Sequence, residues 1–328
     1  MKRILVTGVT GQIGYYVAEA LQREGHRVFG LERQTTPGRP GTHPLPYEPV
    51  SGDLLDDYSL LSLVEEIRPD ELYNFAAQSF VPASWHQPIL TAQYTGLGVV
   101  RLLEAVRRVV PTCRFLQAGS SELFAGGTAS PQDEQTPVVP RNPYGVAKAF
   151  AFHSVRMYRE RYGLFASNAV FYTNESPRRS PNFVFRKVTH GVAAIVAGSG
   201  EPLRLGDLDA WRDWGYTPDY AEGAIRILRH SRADDFVIAS GRARTVRELA
   251  EHAFALAGLK WQEHVEIDSS LVRPPESQVL VGNSAKATAA LGWKPRVGFH
   301  ELTHRMLAHD LALLGLPAPP PMADVAKS

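Results

Sequence analysis

The feature that most restricts the fold is a strand, a glycine turn and a helix at the start of the chain. Residues 3–7 read Arg-Ile-Leu-Val-Thr, and Gly8, Gly11 and Gly14 follow before a helical pattern over 15–22. In this order the motif is a dinucleotide-binding fingerprint. Gly8 permits the tight turn, Gly11 admits a pyrophosphate, and Gly14 lets the helix pack on the strand. The motif predicts a nicotinamide dinucleotide site whose turn residues are Gly8, Thr10, Gly11, Gln12, Ile13 and Gly14.

The composition is that of an ordinary globular protein, with 44% hydrophobic and 21% charged residues among 328. The formal net charge is +1, so nothing favours a nucleic-acid partner or a membrane surface. No apolar run reaches membrane-spanning length, and the chain begins directly with a strand, so we expect a cytoplasmic protein. The single cysteine, Cys113, lies in a strand-like run and is expected to be a buried thiol. No metal site is predicted.

Predicted strands and helices alternate through residue 172, which is typical of a parallel sheet covered on both faces. The predicted strands are 26–31, 71–75, 114–118 and 166–172, and the predicted helices are 58–67, 95–109 and 144–162. Beyond 173 the alternation breaks, although 235–239 is expected to return to the main sheet. Helices are predicted again at 246–257 and 298–314. We therefore predict an α/β fold, a Rossmann-type doubly wound parallel sheet with a smaller, irregular α/β substrate-binding lobe.

The break in the alternation also predicts the domain division. Residues 1–172 and about 218–245 are assigned to the dinucleotide-binding domain. Residues 173–217 and 246–316 are assigned to the nucleotide-sugar-binding lobe. The proline-rich end of the chain, residues 317–328, is predicted to be a disordered tail.

Tyr144 and Lys148 are the first candidate catalytic pair. They lie four residues apart on a predicted helix, so their side chains share one face. A nearby ammonium group favours the phenolate, which allows a tyrosine to act as a base near neutral pH. The same lysine can hold the nicotinamide ribose. A chance surface pair is the alternative, but the position shortly after a predicted strand favours the catalytic interpretation.

Ser120 and Glu122 follow the predicted strand at 114–118. Catalytic groups of a doubly wound sheet lie at this end of its strands. A hydroxyl and a carboxylate two residues apart can both reach one small substrate. The residues alone leave open that Ser120 is a strand-end or helix-cap serine and that Glu122 is a solvated loop acid.

Together these motifs resemble an extended short-chain dehydrogenase/reductase that acts on nucleotide sugars. Further segments narrow the resemblance to the GDP-mannose 4,6-dehydratase family. They are Asn-Glu-Ser-Pro-Arg-Arg and the residues after it at 174–187, Leu-Gly-Asp-Leu-Asp-Ala-Trp-Arg-Asp-Trp-Gly at 205–215, Arg-Pro-Pro-Glu at 273–276, and Leu-Gly-Trp-Lys-Pro-Arg at 291–296. The similarity runs to about residue 315.

The resemblance implies an internal redox cycle on GDP-mannose. Tyr144 would take the proton of the sugar O4 while hydride passes from C4 to the nicotinamide. Glu122 would then remove the proton at C5, and water would leave from C6 with proton donation from Glu122 and Ser120. Hydride returns to C6, so the product is GDP-4-keto-6-deoxy-mannose and no cofactor is consumed. The alternatives are a 4-keto-sugar reductase or epimerase, in which Glu122 has no obvious task, and a dehydratase for another nucleotide sugar.

The resemblance also implies binding residues and an assembly. Cofactor contacts are implied for Asp53, Leu54, Ala77, Gln78, Ser79, Lys148, Asn174 and Arg179. Contacts to the GDP-sugar are implied for Ser79, Ser121, Asn174, Asn182, Lys187, Arg212, Arg273 and Glu276. A homodimer or homotetramer formed through the predicted helices at 95–109 and 144–162 is implied as well.

Several positions depart from the family pattern. An arginine pair usually follows the second strand and holds the 2′-phosphate of NADP, whereas this chain has Glu32 before Arg33. Arg33 suits a phosphate, but an acid at the strand end accepts a hydrogen bond from a free 2′-hydroxyl and repels a phosphate. The sequence therefore leaves NADP and NAD open. Ser120 stands in place of the usual threonine, and Tyr172-Thr173-Asn174 in place of Phe-Asn-His, which leaves the hexose open.

Overall fold

A computed structural model describes residues 1–33, 45–271 and 279–321 of the chain. Strands and helices are numbered in chain order. The strands are β1 (Arg3–Thr7), β2 (Arg27–Glu32), β3 (Glu48–Ser51), β4 (Glu71–Asn74), β5 (Arg114–Ser120), β6 (Ala166–Phe171), β7 (Thr173–Glu175), β8 (Leu203–Leu205), β9 (Trp211–Tyr216), β10 (Phe236–Ile238), β11 (Ala243–Thr245) and β12 (Val265–Ile267). The α-helices are α1 (Gln12–Arg23), α2 (Asp57–Ile67), α3 (Val81–His86), α4 (Pro88–Thr91), α5 (Gly98–Val109), α6 (Pro143–Tyr162), α7 (Val184–Val196), α8 (Thr217–Arg229), α9 (Val246–Leu256), α10 (Ala285–Leu291) and α11 (Phe299–Leu313).

The main sheet has seven parallel strands in the order β10-β6-β5-β4-β1-β2-β3. Helices α1 and α8 cover one face, and α2, α5 and α6 cover the other. The chain changes direction across the sheet at β1, which lies between β2 and β4. Ligands of doubly wound sheets bind beyond the strand ends at this switch point. The predicted Rossmann-type fold is confirmed.

The strands are apolar because both faces of the sheet are covered. All six residues of β6 are buried, and so are four of the five residues of β1. Helix α1 lies close to β1 because Gly14 has no side chain: a Cβ there would come within 3.0 Å of Val9 Cα. The first strand, turn and helix therefore form one rigid unit.

The second lobe has its own core between α7, α9 and α11. Phe185 packs edge-on against Trp214, and Trp214 stacks on Phe299. A buried ion pair, Arg186 to Asp310 at 2.6 Å, joins α7 to α11. Two small sheets, β11-β9-β7 and β12-β8, complete the lobe. The sequence prediction did not identify α7, and it described the region around β9 as one short strand with a loop.

The packing of α10 differs from the predicted domain division. Ala287 and Trp293 belong to the core on the α1 and α8 side of the main sheet. The indole Nε1 of Trp293 donates to Asp219 O at 2.8 Å. Residues 285–293 therefore pack with the main sheet, although the sequence prediction placed them in the second lobe; the rest of the division stays a prediction.

The described part of the chain extends five residues into the predicted tail. Pro319 is buried, and His304 Nε2 lies 3.1 Å from Pro320 O, so these residues contact α11. Residues 322–328 lie outside the described residues. Within the described ranges, no helix combines the length and apolar character that crossing a membrane requires.

Candidate active site

A cavity of about 950 Å³ lies between the C-terminal ends of the main-sheet strands and the second lobe. It is lined from both units, by the turn after β1, the residues after β4 and β5, the start of α6, and the second lobe. The predicted site residues in its lining are Gly8, Gly11, Gln12, Ile13, Gly14, Ala77, Ser79, Ser120, Ser121, Glu122, Tyr144, Lys148, Asn174, Arg179, Asn182, Lys187 and Arg212. Thr10, Glu32, Arg33, Asp53, Leu54 and Gln78 lie outside this lining, and Arg273 and Glu276 lie outside the described residues.

The glycine turn forms a cradle that a side chain would fill. Gly8 has a φ of +65°, and a Cβ there would lie 2.7 Å from the nitrogen of Ala76. The Gly11 N–H donates to Gly8 O at 2.9 Å, and α1 begins at the next residue without a side-chain cap. Uncapped N–H groups at a helix start suit a phosphate group. The turn therefore fits the pyrophosphate of a dinucleotide.

Glu32 lies beside this turn, at the end of β2. Because Leu31 pairs with Thr7, the next residue of each strand brings Glu32 level with Gly8. The Tyr47 hydroxyl donates to Glu32 Oε1 at 2.7 Å. Tyr47 is buried with its ring over Gly30, where a Cβ would lie 2.7 Å from Cε2 and closer still to Cδ2. A buried tyrosine thus fixes one oxygen of the Glu32 carboxylate.

Arg33 and Asp53 lie on either side of Tyr94. The Arg33 guanidinium is 5.7 Å from the Tyr94 ring centroid, and the Tyr94 hydroxyl donates to Asp53 Oδ2 at 3.1 Å. Leu54 is buried in the core formed with α2 and α5. The buried Oε1 of Gln78 has no hydrogen-bond partner among the described residues. Arg33, Tyr94 and Asp53 therefore form one group of contacts outside the lining of the main cavity.

Tyr144 and Lys148 lie on the first turns of α6, as predicted. Lys148 is buried, its Nζ is 5.7 Å from the Tyr144 ring centroid, and it donates to Ala118 O at 2.7 Å. Burial lowers the pKa of Lys148 to about 8. Burial also raises the pKa of Tyr144, and a hydrogen bond from Ser120 opposes this rise. Burial therefore shifts the pKa of Tyr144 in the direction opposite to the one predicted, and its role as the base stays a prediction.

A series of buried side-chain hydrogen bonds also ends at the Ala118 carbonyl. The sequence analysis did not predict it. Thr7 Oγ1 donates to Asn74 Oδ1, and Asn74 Nδ2 donates to Gln117 Oε1 at 2.7 Å. Gln117 Nε2 then donates to Ala118 O at 2.8 Å. These residues occupy matching register positions on β1, β4 and β5. One polar residue near the end of each apolar strand was the available signal.

Glu122 lies in a single 3₁₀ turn, Ser121–Leu123, directly after β5. Ser120 caps this turn, because its Oγ accepts from the Glu122 N–H at 3.3 Å, and it also bonds to Tyr144. Asn142 Nδ2 donates to Glu122 Oε2 at 2.7 Å. Ser120 is therefore a cap residue, its catalytic role stays a prediction, and Glu122 is anchored rather than loosely solvated. Asn142 was not identified from the sequence.

Comparison with known proteins identifies the family. The family model described as GDP-mannose 4,6 dehydratase matches residues 5–306. This chain belongs to that family. It is 42% identical over 332 residues to GDP-mannose 4,6 dehydratase 1 of Arabidopsis thaliana, in an alignment that covers 95% of this chain and 90% of that protein. The resemblance inferred from the motifs is confirmed.

Solved structures agree with the fold of this GDP-mannose 4,6-dehydratase family member. The UDP-glucose 4-epimerase of Thermus thermophilus, in complex with NAD, is 28% identical with a TM-score of 0.83, over 94% of this chain and 98% of that one. RMD from Pseudomonas aeruginosa, complexed with NADPH, is 25% identical with a TM-score of 0.81, over 95% of this chain and 100% of that one.

The Glu-Ser-Pro-Arg-Arg segment lies at the cavity, between the main sheet and the second lobe. Arg179 pairs with both oxygens of the buried Glu175, at 2.7 and 3.1 Å, and its Nη2 donates to Asn174 O at 2.7 Å. The Asn174 amide accepts from Thr217 Oγ1 at 3.0 Å and donates to Tyr172 O at 3.2 Å. Arg179 and Asn174 line the cavity, but their polar groups already have protein partners.

The cations of the second lobe occupy the remaining wall. Lys187 lines the cavity from α7 and Arg212 from β9, where its Nη1 donates to Trp211 O at 2.6 Å. Asn182 lies in the turn before α7. These three residues fit the predicted contacts to a nucleoside diphosphate, because cations and amides suit phosphate oxygens.

Two of the departures from the family pattern lie at the cavity. Ser120 keeps a hydroxyl in contact with Tyr144. Thr173 lines the cavity beside Tyr172, whose buried hydroxyl donates to Gln132 Oε1 at 2.7 Å. These residues therefore contribute to the wall that a bound sugar would meet.

Proposed function

We propose that this chain is a GDP-mannose 4,6-dehydratase, which converts GDP-mannose to GDP-4-keto-6-deoxy-mannose with loss of water. The observation that carries the proposal is the position of Glu122. Its carboxylate shares one cavity with Ser120, Tyr144 and Lys148 and with the glycine turn. An alcohol oxidation needs only the other three side chains, whereas elimination of water needs an acid–base carboxylate as well. Membership of the GDP-mannose 4,6-dehydratase family supports this substrate.

The chemistry divides between the cofactor and the side chains. A nicotinamide dinucleotide whose pyrophosphate is held at the glycine turn would supply a hydride acceptor for C4 and a hydride donor for C6. Tyr144, as the phenolate, would take the proton of O4 as hydride leaves C4, and Ser120 would stabilise the phenolate charge through its hydrogen bond. Lys148 stays charged below its pKa of about 8 and favours that charge from the same helix face.

Glu122 acts at the other side of the sugar carbonyl. A ketone at C4 acidifies the C5–H bond, and Glu122 removes this proton. The C6–O bond then breaks, and the same carboxyl group gives the proton to the departing hydroxyl, so that water leaves. Once C6 has received the hydride, C5 takes up a proton equivalent to the one that Tyr144 received from O4, which completes the product and returns Tyr144 to its starting form. Each proton therefore returns to the sugar or leaves in water, and the side chains end as they began.

We infer that the cofactor is NAD rather than NADP. Tyr47 fixes Oε1 of Glu32 level with Gly8, which leaves the second oxygen for a ribose 2′-hydroxyl. A 2′-phosphate at the same place would meet a carboxylate, and like charges about 4 Å apart repel by roughly 1–4 kcal/mol. Arg33, the candidate phosphate ligand, lies against Tyr94.

Calorimetric titration of cofactor-stripped protein tests the choice of cofactor. NAD is expected to bind at least about tenfold more tightly than NADP, since about 1.4 kcal/mol corresponds to tenfold. Tyr47→Phe should bring the affinities for NAD and NADP closer together, because Glu32 loses the hydrogen bond that fixes its carboxylate. Tighter binding of NADP by the unaltered protein would contradict the inference.

The function itself is tested by incubating the purified protein with GDP-mannose and no added cofactor. A product lighter by one water, with no net change in nicotinamide absorbance, is expected. Stoichiometric oxidation of a reduced cofactor on a 4-keto sugar would instead identify a reductase. No loss of water from GDP-mannose, even with NAD and NADP supplied, would refute this substrate.

We also propose that two copies associate through α5 and α6. Val146, Phe150 and Met157 lie on the outer side of α6 and are 56%, 47% and 52% exposed. Leu97, 43% exposed, lies beside them in the π-helical segment Ala92–Leu97 that leads into α5. A contiguous apolar surface of this kind is typical of an interface. Sedimentation should give a dimer or a tetramer, and Phe150→Glu should shift the mass toward the monomer; a monomeric unaltered protein would contradict the proposal.

A further inference from the structure

One side chain joins the candidate acid–base group to the helix that carries the other catalytic residues. Asn142 precedes α6 and caps it: its Oδ1 accepts from the Gly145 N–H at 2.7 Å. Its Nδ2 donates to Glu122 Oε2, also at 2.7 Å. The two bonds require opposite ends of the amide, because the backbone N–H can only donate and the carboxylate accepts. The orientation of the amide is thereby fixed from both sides.

A helix cap does not need this second bond. Serine, threonine and aspartate cap equally well, since a cap needs only an oxygen that accepts from the first N–H groups. What asparagine adds is an N–H donor on an atom separate from the cap oxygen. At this position the donor lies two residues before Tyr144 and points at Glu122, which is twenty residues earlier in the chain.

The kind of donor also matters. Among the described residues Glu122 has no ion-pair partner, and its carboxylate accepts from the neutral amide of Asn142. A cation would hold the carboxylate ionised, because an opposite charge strongly favours the charged form. A carboxylate that must first take a proton and then give it up is better served by a neutral donor. The amide fixes Oε2 and leaves Oε1 for the sugar.

We propose that Asn142 is a positioning residue that orients Glu122 for proton transfer at C5 while it caps the helix bearing Tyr144 and Lys148. The inference rests on the proposed dehydratase function. Because one rigid amide spans both groups, the carboxylate moves with the start of α6. The base for C5 and the acid–base pair for O4 thus keep a constant relative position.

Asn142→Ser separates the two roles, because serine keeps the cap oxygen and lacks the amide donor. We expect kcat on GDP-mannose to fall about tenfold to a hundredfold, the range that misplacement of a reacting group produces. KM should change less than about threefold, since Asn142 is not in the cavity lining. The deuterium isotope effect with substrate labelled at C5 should rise, and the effect at C4 should not. These isotope effects would not respond to a general loss of stability.

Two controls accompany this variant. Asp56→Ser makes the equivalent change at α2, where Asp56 accepts from the Tyr58 and Ser59 N–H groups away from the cavity. Because serine also caps a helix, this variant should change the melting temperature little and leave kcat unchanged. In a Glu122→Gln background, Asn142→Ser should cause no further loss of kcat, because its effect passes through Glu122.

The proposal would be overturned if Asn142→Ser lowered kcat by the same factor in the Glu122→Gln background as in the unaltered protein. An isotope effect at C5 that Asn142→Ser leaves unchanged would overturn it as well. Failure of the proposed function is separable, because the contact can also be tested without substrate. In protein labelled with carbon-13 at the glutamate carboxyl, the Glu122 signal is the one that Glu122→Gln removes. The chemical shift of this signal at neutral pH should change in Asn142→Ser, since the hydrogen bond from the amide to the carboxylate is lost. An unchanged chemical shift would likewise overturn the proposal.

Discussion

Replacing Lys148 by methionine should make the protein more stable at neutral pH and remove its activity. The Lys148 ammonium is buried, and it contacts the Ala118 carbonyl and the Tyr144 ring rather than a carboxylate. Burial without an opposite charge disfavours the charged form, which is why the pKa falls from 10.5 to about 8. The folded state therefore binds this proton more weakly than the unfolded chain does.

The size and sign of the effect follow from the two pKa values. Below about pH 8 both states carry the charge, and the folded state is destabilised by about 3 kcal/mol. Methionine removes this penalty but also the hydrogen bond to Ala118 O, worth about 1 kcal/mol. Gln117 still donates to that carbonyl, so it is not left unsatisfied. A gain of about 2 kcal/mol in the free energy of unfolding remains for Lys148→Met near pH 7.

The gain should shrink as the pH rises. Between about pH 8 and pH 10.5 the unfolded chain keeps the proton that the folded state has lost, so the unaltered protein becomes more stable relative to the variant. Urea unfolding near pH 7 and near pH 9.5 should therefore give a difference of about 2 kcal/mol that falls to within about 1 kcal/mol of zero. Lys260→Met is the control, because that side chain is 80% exposed and should show no such pH dependence. A Lys148→Met protein that is less stable near pH 7, or a difference independent of pH, would refute the reasoning.

Three further predictions concern the chemistry, the cofactor and the second lobe. Glu122→Gln should bind GDP-mannose with unchanged affinity by calorimetry but lose at least about 10²-fold in kcat; near-normal turnover would remove Glu122 from the mechanism. Gly14→Ala should weaken dinucleotide binding by at least about tenfold in the same assay, because the new Cβ displaces Val9 and the turn. Arg186→Met should lower the free energy of unfolding by about 3–5 kcal/mol in urea titration, because it leaves the buried Asp310 carboxylate without its ion pair. Replacing Asp310 by leucine as well should recover part of that loss, and no recovery would mean that packing rather than charge dominates.

The sequence by itself determined the parts of the site that depend on local geometry. Helical periodicity places Tyr144 and Lys148 on one face of α6, whatever surrounds that helix. The glycine turn after β1 depends on backbone freedom and close approach, which are properties of the residues themselves. The alternation of strands and helices likewise predicted the main sheet, because each amphipathic or apolar segment carries its own periodicity.

Only the tertiary structure decided which polar groups meet across the sheet. The contact of Asn142 with Glu122 and the hydrogen bonds from Thr7 through Asn74 to Gln117 join residues that are distant in the chain. Strand order and register create these contacts, and no local periodicity encodes them. The packing of Ala287 and Trp293 against the core on the α1 and α8 side is likewise a contact between distant parts of the chain.

The balance of charge at the site also came from packing. The sequence placed an ammonium beside a phenol and predicted a phenolate at Tyr144. The structure buries both groups, so desolvation raises the pKa of Tyr144 and lowers the pKa of Lys148. Residue types determine which groups can exchange a proton, but burial determines at which pH they do so, because the cost of a charge depends on how much water surrounds it.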